Sequence, residues 1–539
     1  MLTEIDTLTR RFCASGAELL RRQQDCNPQL ASRAAQAGVD GPAATAFAGA
    51  REAFDAEVMW LSGAEAAALT HSELEDRLEV NARELYRLLL QDHLELRAQR
   101  EAPLRDVVGV DGVRCVHRER GHERPLHTVF GEVRVRRNAY RARGCTRLFP
   151  ADAALNLPAG VHSHGLARLA AIESSRGSFE DAQRAIVRAT GQLVPKRQLE
   201  RLAAHSACDF EAFYEDRQPP GVAEGRALVL SCDGKGVVMR PGALRPETRR
   251  AAQRASHKLS TRLSRGEKRD RKRLAEVGAV YEIKPVPRTP ADILPASDPE
   301  QPASDGPVAQ SKWLTASVVD DAASVVAQIF DEAERRDPDH EHDWVALVDG
   351  NNHQIARIKA EAHARHLDVS VIVDFIHVLE YLWKATWCFH PEGDPAAEEW
   401  VKHHAHTILS GKATTVAGAI RRQATKTGLQ PAQRAGADIC ATYLTNKAAY
   451  LDYPTALTNG WPIATGVIEG ACRHLVKDRM DITGARWGLQ GAEAILKLRA
   501  LHANGDLADY WRYHLTQEHQ RNHQSRYANN TIPLPTTPN

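Results

Sequence analysis

The sequence has little that would support a membrane, secreted or disulfide-stabilised protein. Its 539 residues include nine cysteines, an odd number, scattered along the chain without a C-x-x-C pair. No segment approaches the roughly 18 consecutive apolar residues of a membrane span. The first residues also lack the basic, apolar and small-residue order of a secretory signal. We therefore expect reduced cysteines, no membrane partner and a cytoplasmic location.

Net charge and aromatic content are low as well. The formal net charge is +1 although the chain has 70 Lys and Arg and 69 Asp and Glu, and aromatics make up 6%. Basic and acidic segments cancel, so the total charge says little about partners. A chain of this length is too long for one ordinary core, and we expect two to four domains.

The first 160 residues change from helical to strand-like patterning. Residues 1–104 read as helical; in 72–100 leucines recur at helical spacing, and Ser72 and Glu75 predict a capping box. Residues 105–160 alternate apolar and charged side chains around Gly131, which predicts a small basic β-hairpin. We assign no zinc site there, because the spacing matches no standard pattern among Cys115, His117, His122, His127 and Cys145.

Residues 161–220 have the outline of a helix-turn-helix. A helical segment from Phe179 to Ile186 is followed by a break at Gly191, and Pro195 suits the first turn of a second helix. A plain packed helical hairpin has the same pattern, so both alternatives stay open. Three basic side chains would project from the second helix: Lys196, Arg197 and Arg201.

From residue 221 onward, apolar strands alternate with helices. This predicts a mixed sheet flanked by helices in residues 221–390. A helical insertion in 391–455, C-terminal helices in 456–516 and a disordered polar tail in 517–539 follow. The predicted strands are 227–232, 279–283, 313–318, 344–348 and 369–373, and the predicted helices between them are 322–335 and 355–366.

A basic loop is expected within this region, at 240–312. Between Arg240 and Arg273 there are thirteen Lys or Arg and three acids, and a flexible stretch from Pro285 to Pro307 follows. Such a run is often a solvated arm, but between two strands it is well placed to hold a phosphate backbone. The candidates for that role are Lys268, Arg269, Arg271 and Lys272.

Two aspartates occupy similar places beside predicted strands. Asp233 follows the first strand and precedes a glycine, and Asp349 follows another strand and precedes Gly350. A single aspartate of this kind is usually a turn residue. Two of them, with Glu469 later in the chain, favour a set of oxygen ligands for hard divalent cations. Glycine after each aspartate would leave room for a ligand to approach.

Taken together, these segments resemble bacterial DDE-type insertion-sequence transposases, most closely the Kra-type group and more distantly Mutator-like transposases. The resemblance covers roughly residues 105 to 512. The segments that carry it are 231–234 (SCDG), 348–350 (VDG), 374–377 (DFIH), 466–470 (GVIEG) and 484–487 (GARW).

The resemblance implies a multidomain α/β protein with an RNase H-like catalytic domain. It implies that Asp233, Asp349 and Glu469 bind two Mg²⁺ or Mn²⁺ ions. The implied activity is binding of terminal inverted repeats in double-stranded DNA, with metal-dependent cleavage and strand transfer by a homodimer or larger assembly in the bacterial nucleoid. A nuclease without strand transfer and a non-catalytic DNA-binding protein are the alternatives.

Further residues acquire roles from the same resemblance. Asp374 and His377 look like the D-x-x-H signature of Mutator-like relatives. His377 would contact the scissile phosphate or orient a ligand, or else be a satisfied core histidine. Asp374 would complete the site if Glu469 lay far from the two other acids.

A basic stretch follows the glutamate. It would clamp phosphates or stack a flipped base, the alternative being an exposed basic face with the tryptophan buried. Its residues are Arg473, Lys477, Arg479, Arg486 and Trp487. Related chains often carry a cysteine-based zinc ribbon near 141–145, of which only Cys145 is present here, so the hairpin region is a degenerate version.

Overall fold

The structure is a computed structural model that describes residues 46–254, 263–294, 306–482 and 484–533. The chain forms two compact units, one from Met1–Leu155 with Gln524–Asn539 and the other from Asn156–His523. Among the described residues, no helix has both the length and the apolar character required to cross a bilayer.

The first unit combines helices with a two-stranded antiparallel hairpin. Its described elements are α1 (Ala48–Leu61), α2 (Ala64–Ala67), α3 (His71–Gln99), β1 (His117–Thr128), β2 (Gly131–Arg141) and α4 (Pro150–Ala154). The long helix was predicted, but its expected capping box at Ser72 and Glu75 is wrong. Because the helix begins at His71, the box forms two residues earlier, between Thr70 and Glu73.

The hairpin was predicted at this position and is confirmed. Gly131 opens β2 with φ +138°, a conformation that favours glycine. A Cβ at this position would also lie 2.7 Å from Arg87 Cδ, so both the backbone conformation and the space favour glycine. The Cys145 thiol donates to Asp111 Oδ2 at 2.9 Å.

The second unit contains a five-stranded sheet with helices before, between and after its strands. The helices before it are α5 (His164–Arg176), α6 (Phe179–Thr190), α7 (Lys196–Ser206) and α8 (Phe210–Asp216). The sheet region contains β3 (Ala227–Val238), α9 (Pro246–Arg254), α10 (Arg265–Arg269), β4 (Lys272–Ile283), α11 (Pro290–Ile293), β5 (Ala309–Ser317), α12 (Ala322–Arg336), β6 (Trp344–Val348), α13 (Asn352–Ala364), β7 (Ser370–Val373) and α14 (Phe375–Thr386).

Helices make up the remainder of the unit. Those of the predicted insertion are α15 (Pro395–Leu409), α16 (Ala413–Lys426) and α17 (Ala435–Lys447). They are followed by α18 (Tyr453–Thr458), α19 (Gly466–Ala471), a π-helical segment (Cys472–Lys477), α20 (Asp478–Met480), α21 (Leu489–Asn504) and α22 (Leu507–Asn522). The protein is therefore a mixed α/β protein with a helical insertion, as the sequence indicated.

The strand order in the sheet is β5-β4-β3-β6-β7. Strands β5, β4 and β3 pair antiparallel, whereas β3, β6 and β7 run parallel. Strand β3 is fully apolar where it pairs on both sides, at Leu228–Leu230, and every residue of β6 is buried. On one face α12 packs closely against the backbone of β4 at Gly278. A Cβ at this position would lie 2.8 Å from Ile329 Cδ1.

Two predicted boundaries are wrong in the sheet region. Asp233 does not follow its strand but lies inside it, since β3 continues to Val238 along β4 after its pairing with β6 has ended at Leu230. The expected basic loop at 240–312 is also wrong, because it contains α9, α10 and the whole of β4, which begins at Lys272. Residues 255–262 and 295–305 lie outside the described residues.

The predicted disordered tail is wrong from residue 517 to residue 533. Helix α22 continues to Asn522, and Glu518 within it is 1% exposed. Tyr527, at 2% exposure, belongs to the small core of the first unit with Val107, Cys115 and Tyr140. The polar composition was misleading because its charged side chains have buried partners. Residues 534–539 lie outside the described part of the chain.

Candidate functional site

The strand register places the three aspartates side by side. In the parallel pairing of β3 with β6, Leu230 lies opposite Ala346, an offset of 346 − 230 = 116 residues. Asp233 and Asp349 have the same offset, 349 − 233 = 116. Val348 lies opposite Val373, an offset of 25 that Asp349 and Asp374 share. Extended three residues past the last β3–β6 pair and one residue past the last β6–β7 pair, these offsets put the three acids in a row on one face of the sheet.

Asp233 lies where one side of β3 is no longer covered by β6. Its Oδ1 accepts from the Gly234 amide at 2.7 Å and its Oδ2 from the Cys472 thiol at 3.2 Å. Burial raises the pKa of Cys472, and the negative charge of Asp233 raises it further, so this thiol stays protonated and acts as a donor. The carboxylate is half-buried.

Asp349 occupies a tight turn directly after β6. Its Oδ1 accepts from the Asn351 amide at 2.8 Å, and Gly350 has φ +93°. A Cβ on Gly350 would lie 2.6 Å from the Tyr443 hydroxyl, which donates to the Asp349 carbonyl at 3.3 Å. The glycine therefore makes room for a tyrosine of the insertion helix α17, where the sequence had suggested room for a ligand.

Asp374 is more deeply buried than the other two aspartates, at 2% exposure. It caps α14, with Oδ1 accepting from the Ile376 amide at 2.8 Å. Its Oδ2 accepts from His377 Nδ1 at 2.9 Å and from the Thr465 hydroxyl at 2.6 Å. The bond to Asp374 raises the pKa of His377, with a further contribution from Asp349. Asp374 thus orients His377 and joins the end of β7 to the start of α19.

Glu469 lies on α19, which packs across β3 and β4, and its side chain is exposed. Partial burial raises the pKa of its carboxyl, and Asp233 raises it further. His377 and Lys235 lower the pKa of the same carboxyl, so both acids and cations of the sheet edge lie near Glu469. Glu469 is therefore near the row of aspartates and is not the remote acid that would have left the role to Asp374.

The acids are neighbours, but their carboxylate oxygens are not gathered as closely as the ligands of one bound ion. In the described part of the chain, the carboxylates of Asp233, Asp349 and Glu469 are absent from the groups of three potential ligands whose atoms lie within 4.8 Å of one another. The charges of Asp233 and Asp349 nevertheless act on the same neighbouring group. Burial raises the pKa of the Cys232 thiol to about 12, and both aspartates add to that rise. Within the same described residues, none of the three forms an ion pair with Lys or Arg.

A lysine-lined cleft adjoins the acids. It lies between β3, the start of β4 and the π-helical segment, and Lys235, Lys272 and Lys477 line it together with Val237 and Met480. All three lysines are exposed. Lys235 was not singled out in the sequence, although its position two residues after Asp233 on the same face of β3 was a usable signal.

The π-helical segment directly after α19 is stabilised by a half-buried arginine. Such segments leave backbone carbonyls with altered partners and are frequent at functional sites. Arg499 donates to the carbonyl oxygens of His474 and Leu475, the latter at 3.0 Å, and also to Ser175 at the end of α5 at 2.5 Å. The helix that carries Glu469 is thereby connected to the helices that precede the sheet.

Trp487 and Arg479 are part of this packing. Trp487 is 5% exposed and donates from Nε1 to the Met480 carbonyl at 2.9 Å. Arg479 lies between Trp487 and Phe179, with its guanidinium carbon 4.7 and 5.2 Å from the two ring centroids. These contacts match the packing alternative for Trp487, because stacking on a base would require it to leave them. Arg473, Lys477 and Arg486 are exposed.

The helix-turn-helix segment forms a compact group of three helices. Helices α5, α6 and α7 pack through Leu166, Ile186 and Leu199, each fully buried. Gly191 ends α6 with φ +67°, and Pro195 is the N-cap of α7, one position before the predicted first turn. Arg197 and Arg201 are exposed on α7, and Lys196 pairs with Glu180 at 2.9 Å.

The basic residues between α9 and β4 are only partly described. Lys268 and Arg271 are half-buried, and Lys272 is exposed at the start of β4 beside the cleft. The side chain of Arg269 lies outside the described residues. Comparison of the chain with protein-family models and with curated proteins found no match.

Proposed function

We propose that this chain is a DDE-type DNA transposase that binds the terminal inverted repeats of an insertion sequence and catalyses metal-dependent cleavage and strand transfer. The observation that carries the proposal is the row of acids formed by Asp233 within β3 and by Asp349 and Asp374 directly after β6 and β7, with Glu469 near it on α19. Acids that share one sheet edge without Lys or Arg partners repel one another, and bound cations would relieve that repulsion.

The sheet supports an RNase H-like catalytic domain. Three antiparallel strands are followed by two parallel ones, and the order along the sheet is third, second, first, fourth, fifth. In such a sheet the acids of the first and fourth strands meet at the carboxyl edge, where ligands of α/β sheets bind. The long insertion between β7 and α19 adds Tyr443 against the Asp349 turn.

The donor set fits Mg²⁺ or Mn²⁺. Asp233, Asp349 and Glu469 offer carboxylate oxygens, the ligands that hard cations prefer, and water and DNA phosphates would supply the other positions. When bound, a pair of such ions activates the attacking hydroxyl and stabilises the leaving oxygen of phosphoryl transfer. Glu469 is on the exposed side of the row, so it is the ligand that must turn inward. Asp374 holds His377 beside the acids, in reach of a phosphate.

Cations around the acids would hold the DNA. The cleft lysines Lys235, Lys272 and Lys477 lie beside the acids, where a phosphate backbone entering the site would be neutralised. Arg197 and Arg201 on α7 would contact the repeat DNA through the helix-turn-helix. Because two DNA ends must be joined to a target, we propose a homodimer or larger assembly.

The test uses labelled DNA from both flanks of the gene, with Mg²⁺ or Mn²⁺ and a target plasmid. Wild-type protein should cut the strand at the repeat end and join the 3′-hydroxyl to the target, whereas Asp349→Asn should do neither. Asp339→Asn is the matched control, because Asp339 is exposed in the connection before β6, at the opposite end of that strand.

Three outcomes separate the candidate functions. Cleavage and joining that depend on Asp349 but not on Asp339 support the transposase. Cleavage without joining would assign a nuclease of the same fold. DNA binding with no metal-dependent chemistry, identical in both variants, would leave a non-catalytic DNA-binding protein.

A further inference from the structure

A second cluster of metal-ligating side chains lies away from the sheet, between α7 and α22. His205, His514 and Glu518 have ligand atoms within 4.8 Å of one another, and Cys208, Asp209 and His514 form an overlapping group. Within the described residues these are the groups of three that meet this spacing. His514 and Glu518 are buried, at 1% exposure each, and His205 is exposed.

In this cluster each of the two carboxylates has one oxygen near a histidine and the other oxygen near Arg521. His205 Nε2 lies 3.0 Å from Glu518 Oε2, and Asn522 also donates to Oε2 at 2.8 Å. Arg521 pairs with the opposite oxygens, Glu518 Oε1 and Asp209 Oδ1. The guanidinium therefore binds the outer oxygens of both carboxylates and leaves one oxygen of each directed to a histidine.

Asp209 orients the second histidine. His514 Nδ1 lies 2.6 Å from Asp209 Oδ2, and because a carboxylate can only accept, Nδ1 carries the proton. The other ring nitrogen, Nε2, is then the basic one that can bind a cation. Histidines that ligate zinc through one ring nitrogen usually donate from the other nitrogen to a carboxylate, which fixes the orientation of the ring.

We propose that His205, His514 and Glu518 bind one Zn²⁺ ion, with Asp209 and Arg521 orienting the ligands. Two imidazoles and one carboxylate suit zinc, a borderline cation that takes nitrogen and oxygen ligands at about 2.0–2.2 Å. Ligand atoms around a tetrahedral ion of that size are roughly 3.4 Å apart. The 3.0 Å separation of His205 Nε2 and Glu518 Oε2 is near this value, and the ligand atoms of all three residues lie within 4.8 Å of one another.

Such an ion would join the helix-turn-helix to the C-terminal helix. His205 lies near the end of α7, the helix that presents Arg197 and Arg201, and the other two ligands are one turn apart on α22. This site is separate from the acids of the sheet and does not depend on the proposed transposase activity. Its effect would be to stabilise the position of α7.

The test measures zinc bound by purified, tag-free protein, by elemental analysis after dialysis and by titration of the metal-free protein. We expect one Zn²⁺ per chain in wild type and also in Asp233→Asn, which removes an acid of the other site. His205→Asn should abolish tight binding, and Asp209→Asn should weaken it by roughly 10- to 100-fold. His403→Asn is the matched control, because His403 is an exposed histidine on α15.

Folding of each variant is checked by circular dichroism, and His205 is chosen because its exposed ring can be replaced with little effect on packing. A Co²⁺-loaded sample should show the strong visible bands of a four-coordinate site; a sulfur charge-transfer band would instead make Cys208 a ligand and overturn the proposed set. Absence of tight Zn²⁺ binding in wild type, or equal binding in His205→Asn and His403→Asn, would overturn the site itself.

Discussion

The sheet edge and the α7–α22 cluster both bring acidic side chains together, but in the described part of the chain only the cluster pairs them with an arginine. At the sheet edge, Asp233, Asp349 and Glu469 have no Lys or Arg ion pair within the described residues, and their partners are amides and a thiol. In the cluster, Glu518 is bonded by His205, Arg521 and Asn522.

The difference shows in the pKa of the two glutamates. Burial would raise the pKa of Glu518, but the bonds from His205 and Arg521 outweigh burial and lower it to about 2. For Glu469, burial and the charge of Asp233 act together and raise the pKa. An acid that the protein itself neutralises contributes to stability, whereas acids left without cations store repulsion that a ligand can relieve.

The largest effect that would test this contrast is expected from Asp233→Asn. Losing a metal ligand removes several kcal/mol of transition-state stabilisation, so cleavage should fall by about a thousandfold or more. Stability should be unchanged or higher, because one repelling charge is gone. Single-turnover cleavage and urea unfolding of the same preparation check both. Loss of stability with retained cleavage would reverse the comparison.

Glu518→Ala should have the opposite profile. Removing the buried Glu518 carboxylate leaves His205 without this acceptor and Arg521 with the Asp209 carboxylate, and should lower the free energy of unfolding by about 3 kcal/mol. Urea denaturation measures the change. Glu399→Ala, at an exposed position on α15, serves as the control and should change stability by less than about 0.5 kcal/mol. Equal effects of the two substitutions would contradict the ion-pair explanation.

Asp374 shares a feature with each region. It belongs to the row of acids, but both of its carboxylate oxygens accept hydrogen bonds. Its bond raises the pKa of His377, so this pair contributes stability that is full below the unfolded pKa and is lost as pH rises through the raised pKa. Asp374→Asn should lower the pKa of His377, measured by NMR titration. The stability difference from wild type should be larger in acid than at alkaline pH. An unshifted His377 would exclude a positioning role.

The smallest effect concerns the cations. Lys477→Gln should weaken DNA binding at all sequences and reduce the slope of log K against log salt by about 1, the share of a single phosphate contact. Fluorescence anisotropy at several salt concentrations measures this slope. Lys412→Gln, exposed in the insertion, is the control and should leave the slope unchanged. Equal slopes in both variants would place the DNA backbone elsewhere.

Much of the fold was readable from periodicity. The strand Trp344–Val348 was predicted with its observed bounds, and the hairpin, the helices around Gly191 and the helical insertion lie where their patterns indicated. Boundaries failed where tertiary pairing extends an element. β3 continues past Asp233 because β4 still pairs with it, and α22 continues past residue 517 because Glu518 is buried and paired with His205 and Arg521.

The sequence by itself determined which acids stand beside apolar strands, because strand burial and the turn residues after it are local properties. The tertiary structure alone decided that they share one face, since the offsets of 116 and 25 residues arise from parallel pairing between distant strands. It also packed Trp487 and Arg479 against Phe179, and it brought His205 to His514 and Glu518. Contacts over hundreds of residues depend on how helices pack, and no local pattern encodes that.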